Sequence, residues 1–171
     1  MLSFRTELEG IPETVQELVL AAEERYWEAF ELLVQARDFA AIYLSGYCAE
    51  MLLKTATFRF DGALPGDLVE PRLGPAKTFG KAKFPTIGHE SYHSLIFWSE
   101  LLLSKRSDAG RPLSADLLTD LRLRVNRMYQ SWWVSMRYRT AGSIVASPQP
   151  VALTILADVD WLLKHHSELW S

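Results

Sequence analysis

The stretch from Ala40 to Lys54, AAIYLSGYCAEMLLK, decides the fold. It is the middle of a segment, Asp38 to Phe60, that contains no proline and shows no alternation of apolar and polar residues. Wound as an α-helix, this segment is apolar on nearly every side, which is typical of a helix enclosed by neighbouring helices. The sequence therefore predicts a central helix over residues Asp38 to Phe60.

Apolar residues recur every three or four positions in four further segments, and this spacing indicates amphipathic helices. The predicted helices are Glu13 to Arg37, Gly88 to Lys105, a segment capped by Ser114 and ended by Gly142, and a segment that starts at Ser147 and Pro148 and runs through Leu169. Glycines and prolines are so frequent from Asp61 to Gly88 that this segment (61–88) is predicted to be a long loop. We therefore expect an all-α fold, an up-and-down antiparallel bundle of four long helices plus an additional helix.

Composition limits both the number of domains and the class of protein. The chain has 171 residues, 49% of them hydrophobic, which fits a single helical domain over residues 1–171. Its formal net charge of -3 argues against a polycation that binds nucleic acid through its overall charge. The single cysteine, Cys48, lies in an apolar run, which indicates a buried inert thiol in a reducing compartment. No leader or membrane-length apolar run is visible, so a cytoplasmic location with no membrane partner is expected.

Two stretches resemble the HEPN domain family (higher eukaryotes and prokaryotes nucleotide-binding). The stretch from Ala40 to Lys54 resembles the second helix of that family, where an aromatic and small-residue run leads to a glutamate and, one turn later, a lysine. Gly88 and His89 resemble the start of its third helix, although Glu90 and Ser91 depart from the usual aspartate and its neighbour.

A third match lies near the end of the fourth predicted helix. Trp133 followed by Arg137 and Tyr138 resembles the tryptophan and the Arg-Tyr pair of HEPN domains, with Arg139 where proline is common. The resemblance implies a homodimeric module that binds a nucleotide, an RNA or a protein partner such as a small nucleotidyltransferase, in a toxin-antitoxin or defence context. Nothing in the sequence indicates a cofactor.

The family's ribonucleases share an arginine followed four to six residues later by a histidine. No histidine of this chain has an arginine at those upstream positions; the four are His89, His93, His165 and His166. The resemblance therefore implies a non-catalytic module, with a degenerate ribonuclease as one enzymatic alternative.

A zinc hydrolase is the other enzymatic alternative, because His89, Glu90 and His93 spell H-E-x-x-H. In zinc peptidases this spacing places two imidazoles on one helical face, with the glutamate as base for a metal-bound water. No G-x-x-H follows His93 and no substrate-binding strand is visible, so the third ligand has no candidate in the pattern. We expect no metal site.

Candidate nucleotide- or RNA-binding residues come from positive charge placed near aromatic side chains. The segment Arg72 to Phe84 has three lysines, no acid and two phenylalanines, and the fourth predicted helix is rich in arginine. The candidates are Lys54, Lys77, Lys81, Lys83, Arg124, Arg127, Arg137 and Tyr138. The competing interpretation is structural: Glu50 and Lys54 would form an ion pair that fixes helix packing, and the arginines would form solvated or interhelical ion pairs.

The tryptophans and the last two histidines also have structural interpretations. Four tryptophans are predicted to be core and interface anchors: Trp132, Trp133, Trp161 and Trp170. His165 and His166 lie in the last turn of the final predicted helix, where positive charge favours the helix C-terminus.

Overall fold

The computed structural model describes residues 10–85, 87, 93–140, 142 and 147–171. Within these residues the backbone forms six α-helices and one 3₁₀ segment, and it contains no strand beyond an isolated bridge between Thr14 and Leu68. In chain order the elements are α1 (Val15–Val34), α2 (Asp38–Phe60), α3 (Glu70–Lys83), α4 (Leu95–Asp108), α5 (Ala115–Ser131), η1 (Val134–Tyr138) and α6 (Gln149–Trp170). The prediction of an all-helical protein is confirmed over the described residues.

Helix α2 is the central element, as predicted, and its bounds are those expected from the sequence. It contacts α1, α4, α5, α6 and η1. Its buried side chains point in every direction around the helix axis and include Cys48, Leu52 and Phe58. Burial raises the pKa of the Cys48 thiol, which agrees with the prediction of an inert side chain.

The predicted loop 61–88 is wrong over residues Glu70 to Lys83, which form α3. Pro71 lies in the first helical turn, where a backbone N–H has no intrahelical acceptor. The absence of an N–H in proline therefore costs no helical hydrogen bond. Pro75 removes one hydrogen bond further along, and burial of Ala76 and Gly80 against the rest of the protein compensates for it. Packing of Gly80 on Phe97 of α4 is so close that a Cβ on Gly80 would lie 2.2 Å from the phenylalanine ring.

The third predicted helix begins later than expected. Gly88 lies outside the described residues, but His93 forms a turn and α4 starts only at Leu95. Ser94 is the cap: its backbone is extended, and its side chain accepts a hydrogen bond from the N–H of Phe97.

The fourth predicted helix ends earlier than expected, at Ser131 and not at Gly142. Its start is as predicted, with Ser114 as cap and Asp116 in the first turn. Trp132 turns to an extended conformation and is buried, and the chain continues as the short 3₁₀ segment η1. None of the described helices combines the length and the apolar character that crossing a bilayer requires.

Candidate functional site

One face of α2 carries a row of polar and aromatic side chains, which we call the α2 row: Tyr43, Tyr47, Glu50 and Lys54. Spacings of four, three and four place them on the same side of the helix, one above the other. Because the rest of α2 is embedded in the core, a polar row on this helix requires partners from other parts of the chain.

Glu50 is the centre of the α2 row. Its side chain is 4% exposed, and its two carboxylate oxygens have different partners. Oε1 accepts a hydrogen bond from Nζ of Lys54 at 2.5 Å, and Oε2 lies 2.8 Å from Nδ1 of His93. Nδ1 is the donor in this pair if the carboxylate is ionised, which fixes the orientation of the imidazole. The predicted ion pair of Glu50 and Lys54 is confirmed, and His93 is an additional partner.

The two tyrosines continue the row toward the N-terminus of α2. Their hydroxyls lie 3.2 Å apart, and the edge of the Tyr47 ring faces His93 with 6.0 Å between ring centroids. Burial, together with the hydrogen bond to Tyr43, raises the pKa of Tyr47 to about 12. Tyr47 therefore stays protonated near neutral pH and can donate a hydrogen bond to an acceptor.

Trp132 joins the α2 row to the end of α5. Its indole Nε1 donates a hydrogen bond to the backbone carbonyl of Tyr43 at 3.0 Å, and its ring meets Tyr47 edge-on with 5.4 Å between centroids. The indole lies directly on Gly46, where a Cβ would be 2.1 Å from the ring. Glycine at this position permits the contact, because any larger residue would place its Cβ inside the space of the indole.

A cavity of about 670 Å³ opens beside Trp132, and we call it the aromatic pocket. Its volume is in the range of small-molecule binding sites. Its wall combines aromatic rings with hydrogen-bonding groups: Phe39, Tyr129, Gln130, Ser131, Trp132, Trp133, Met136 and Arg139. Trp133 is 65% exposed and Tyr129 is 46% exposed. The prediction of a core role is wrong for Trp133, which is exposed although its neighbour Trp132 is buried; the predicted role as an interface anchor stays a prediction.

Positive charge lies at the edge of the aromatic pocket. The Arg137 guanidinium stacks on the exposed ring of Tyr138 at 4.7 Å from the ring centroid. Tyr138 raises the pKa of Arg137 most strongly, and Tyr43 and Tyr47 add to the effect. Arg137 is therefore a fixed cation close to the tyrosines of the α2 row, and Arg139 adds a second exposed cation in the pocket wall.

Arg124 and Arg127, two of the predicted binding residues, lie elsewhere and contact Asp158 of α6. Asp158 is fully buried; Arg124 donates to its Oδ1 at 2.9 Å, and Nε of Arg127 donates to its Oδ2 at 3.0 Å. The guanidinium of Arg124 also stacks on Trp161. These contacts correspond to the interhelical ion pairs of the structural interpretation.

The lysines of the segment Arg72 to Phe84 lie on helix α3 and not on a loop. Lys77 and Lys81 are one turn apart, whereas Lys83 points to α4 and contacts both oxygens of Asp108 at 3.1 Å. Phe79, expected to stack on bases, is partly buried with Nζ of Lys105 4.8 Å from its ring centroid. Lys83 and Phe79 are therefore both engaged in contacts within the protein.

The H-E-x-x-H motif is only partly within the described residues, because His89 and Glu90 lie outside them. His93 lies in a turn just before Ser94, the N-cap of α4. It is therefore not on the face of that helix, where the motif would place it. Among the residues that the structure describes, no group of three or more histidine, cysteine or acidic side chains could hold a metal ion.

The final histidines make contacts that the predicted interaction of positive charge with the helix C-terminus does not include. His166 is partly buried, with Nε2 2.9 Å from Oγ1 of Thr55 and 3.2 Å from the carbonyl of Leu52. Burial lowers its pKa, so it is neutral near pH 7. His165 stacks on Trp161 with 4.4 Å between ring centroids.

Sequence reasoning missed most of the wall of the aromatic pocket. Phe39, Tyr129 and Met136 lie within the predicted amphipathic or central helices and carry no separate signal for a site, and neither do Gln130 and Ser131. The available signal was the pair Trp132-Trp133, because neighbouring side chains on a helix point about 100° apart, so that one of the two rings can face outward. Comparison of the chain with protein-family models, with curated proteins and with solved structures gave no match.

Proposed function

We propose that the protein binds a nucleotide unit, as a free nucleotide or as a residue of single-stranded RNA, in the aromatic pocket. The observation that carries the proposal is the combination of exposed aromatic rings with the exposed Arg139 in the wall of a cavity of about 670 Å³, with Arg137 two positions earlier in the chain. Nucleobases stack on aromatic side chains, and phosphates bind guanidinium groups. Few other ligand classes need both in one place.

Each part of a nucleotide has a complementary group in or beside the pocket. Trp133 and Tyr129 offer exposed ring faces for a base, and the amide of Gln130 can both donate to and accept from its polar edge. Arg137 and Arg139 supply the charge that a phosphate requires. In this proposal the α2 row is the support of the site, since Tyr43 holds the indole of Trp132 through its carbonyl.

The resemblance to HEPN domains agrees with this proposal. On the basis of that resemblance, we further propose that the protein is a non-catalytic up-and-down bundle that forms a homodimer and has a nucleotidyltransferase partner in a toxin-antitoxin or defence context. Light scattering at micromolar concentration tests the homodimer directly. Among the residues predicted from sequence, Arg137 and Tyr138 lie in η1 between the pocket-wall residues Met136 and Arg139, so the proposal uses them and not the ion-paired Arg124 and Arg127.

Titration of fluorescently labelled twelve-residue poly-A and poly-U RNA, and of unlabelled AMP and ATP in competition, tests the proposal. Stacking contributes about 1 to 3 kcal/mol per base, so we expect Trp133→Ala to weaken binding by about tenfold or more. Arg137→Ala is expected to weaken binding and to reduce its salt dependence. Competition by AMP indicates a mononucleotide site, whereas competition by RNA alone indicates an RNA site.

Two matched controls separate the pocket from general surface effects. Trp27 is 61% exposed on α1, almost as much as Trp133, and Arg122 is an exposed arginine of α5 that pairs with Glu100. Trp27→Ala and Arg122→Ala should leave nucleotide affinity unchanged. Unchanged affinity in Trp133→Ala and Arg137→Ala, together with loss in a Lys77, Lys81 and Lys83 alanine variant, would move the site to α3 and refute the proposal.

Enzymatic activity is the second candidate function, because Glu50 orients the imidazole of His93 as a positioning carboxylate does in hydrolytic sites. The same RNA substrates serve as the assay. Cleavage that is lost in Arg137→Ala would favour a degenerate ribonuclease. Metal-dependent hydrolysis that is lost in His93→Ala, with stoichiometric zinc in the purified protein, would favour a hydrolase.

A further inference from the structure

The outward side of α1 carries large apolar side chains that the core does not use. Leu20 is 43% exposed, Trp27 61%, Phe30 43% and Val34 72%. Their spacings of seven, three and four place them along one stripe, which we call the α1 stripe. The opposite side of the helix, with Val15, Ala22 and Ala29, is the side that is buried.

The α1 stripe has the length and the shape of a helix-docking surface. Fourteen residues separate Leu20 from Val34, which corresponds to about 21 Å along the helix axis. Trp27 packs edge-on against both Tyr26 and Phe30, with ring centroids 5.2 and 6.1 Å apart. The rings are thus held in place by one another before any partner binds, which reduces the entropy lost on association.

The charges on α1 are predominantly negative. Helix α1 contains five glutamates, all of them exposed, and a single arginine, Arg25, so its side chains sum to -4. The glutamates are Glu17, Glu23, Glu24, Glu28 and Glu31. Arg25 is already paired with Glu28, which raises the arginine's pKa. The acidic rim of the α1 stripe is therefore not neutralised by the helix itself.

We propose that the α1 stripe docks an amphipathic helical segment of another protein, with apolar residues on one face and lysine or arginine along its flanks. The apolar residues would cover Trp27 and Val34, and the basic flanks would face the glutamates. A second copy of this chain fits less well, since antiparallel pairing through the stripe would oppose two glutamate-rich rims. The surface is separate from the aromatic pocket, whose charged edge is basic.

Designed peptides test the proposal with the whole protein. The probe is a helical peptide of twenty-one residues with leucines at heptad positions and lysines elsewhere. Its two controls are the same peptide with glutamate in place of lysine and a scrambled peptide of identical composition. We expect the basic helix to bind, and both controls to bind at least tenfold more weakly, in fluorescence anisotropy at about 0.15 M salt.

Variants of the protein then locate the binding. Trp27→Ser with Val34→Ser removes the apolar contact, and Glu24→Lys with Glu31→Lys reverses part of the rim; each is expected to weaken binding of the basic peptide at least tenfold. Trp133→Ser is the matched control, since it removes an equally exposed tryptophan elsewhere. Equal binding by wild type and both double variants would refute the proposal. A dimer in light scattering that dissociates on Trp27→Ser would also refute it, because the stripe would then be the contact between two copies.

Discussion

His93 and Glu50 are 43 positions apart in the sequence, yet Nδ1 of the imidazole lies 2.8 Å from Oε2 of the buried carboxylate. The same carboxylate holds Lys54 through its other oxygen. A segment that precedes α4 is thereby tied to the central helix. The contact gives Glu50 two cationic or hydrogen-bonding partners, which is what a carboxylate buried to this extent requires.

Removal of Lys54 tests how strongly this buried arrangement stabilises the fold. Lys54→Met leaves the Glu50 carboxylate with one partner fewer in a low-dielectric site, and we expect a loss of about 3 kcal/mol in the free energy of unfolding. Lys164→Met is the matched control, since Lys164 and Asp160 have the same spacing and a 2.5 Å contact but are exposed; it should cost less than about 1 kcal/mol. Urea unfolding measures both, and equal costs would contradict the prediction.

Gly46 provides a second test, because its missing side chain makes room for Trp132. A Cβ at this position would lie 2.1 Å from the indole, so Gly46→Ala is expected to destabilise the protein by about 2 kcal/mol or more. In Gly66→Ala, by contrast, the backbone φ is not positive and the added methyl group meets no atom within 4 Å beyond the adjoining residues, so the variant should gain about 0.4 to 1 kcal/mol. Thermal unfolding of the two variants, with wild type, gives the comparison; a neutral Gly46→Ala would show that the indole moves without cost.

The sequence predicts those parts of the fold that depend on local pattern. The bounds of α2 follow from its continuous apolar character, and the caps of α4 and α5 are serines, although only Ser114 was recognised beforehand. Helix α3 was missed because glycine and proline disfavour helices in isolation. Its burial of Ala76 and Gly80 is a tertiary effect that no local propensity contains.

The candidate site likewise has contacts that follow from local spacing and contacts that do not. The pair of Glu50 and Lys54 follows from its spacing on one helix, and the structure confirms it. The contact of His93 with Glu50 and the insertion of Trp132 beside Gly46 join residues far apart in the chain, so no periodicity predicts them. The aromatic pocket arises because α5 ends at Ser131, and that end is fixed by the tertiary contact of Trp132.

Asp158 is expected to be a stabilising residue, with no part in ligand binding. It is fully buried and faces the guanidinium groups of Arg124 and Arg127, so Asp158→Asn should cost about 3 kcal/mol or more. The control is Glu100→Gln, because Glu100 accepts two hydrogen bonds from Arg122 at 3.0 Å between the neighbouring helices but is more exposed. We expect the control to cost less than about 1 kcal/mol in urea unfolding. Arg127→Gln should likewise lower stability while leaving RNA affinity unchanged. A loss of RNA affinity in the folded variant would instead indicate that Arg127 contacts the ligand.

His166 should make the stability of the protein depend on pH in mildly acidic solution. Burial lowers its pKa below the ordinary value of 6.5, and nearby Arg59 lowers it further, against the hydrogen bond to the carbonyl of Leu52. As the pH falls below about 6.5, His166 is therefore protonated more readily in the unfolded chain than in the folded protein. This difference favours the unfolded state, so the free energy of unfolding decreases as the pH falls.

In His166→Gln that proton-linked loss is absent, and the glutamine can still donate a hydrogen bond to Thr55. We expect the free energy of unfolding of wild type to fall more steeply than that of the variant between pH 7.5 and about 5.5, so that the cost of the substitution shrinks as the solution is acidified. Urea unfolding at several pH values measures the two slopes. An NMR titration of the His166 ring provides the independent check. Because desolvation lowers the pKa of this imidazole, we expect its midpoint below 6.5, and a midpoint at or above that value would contradict the expected slope.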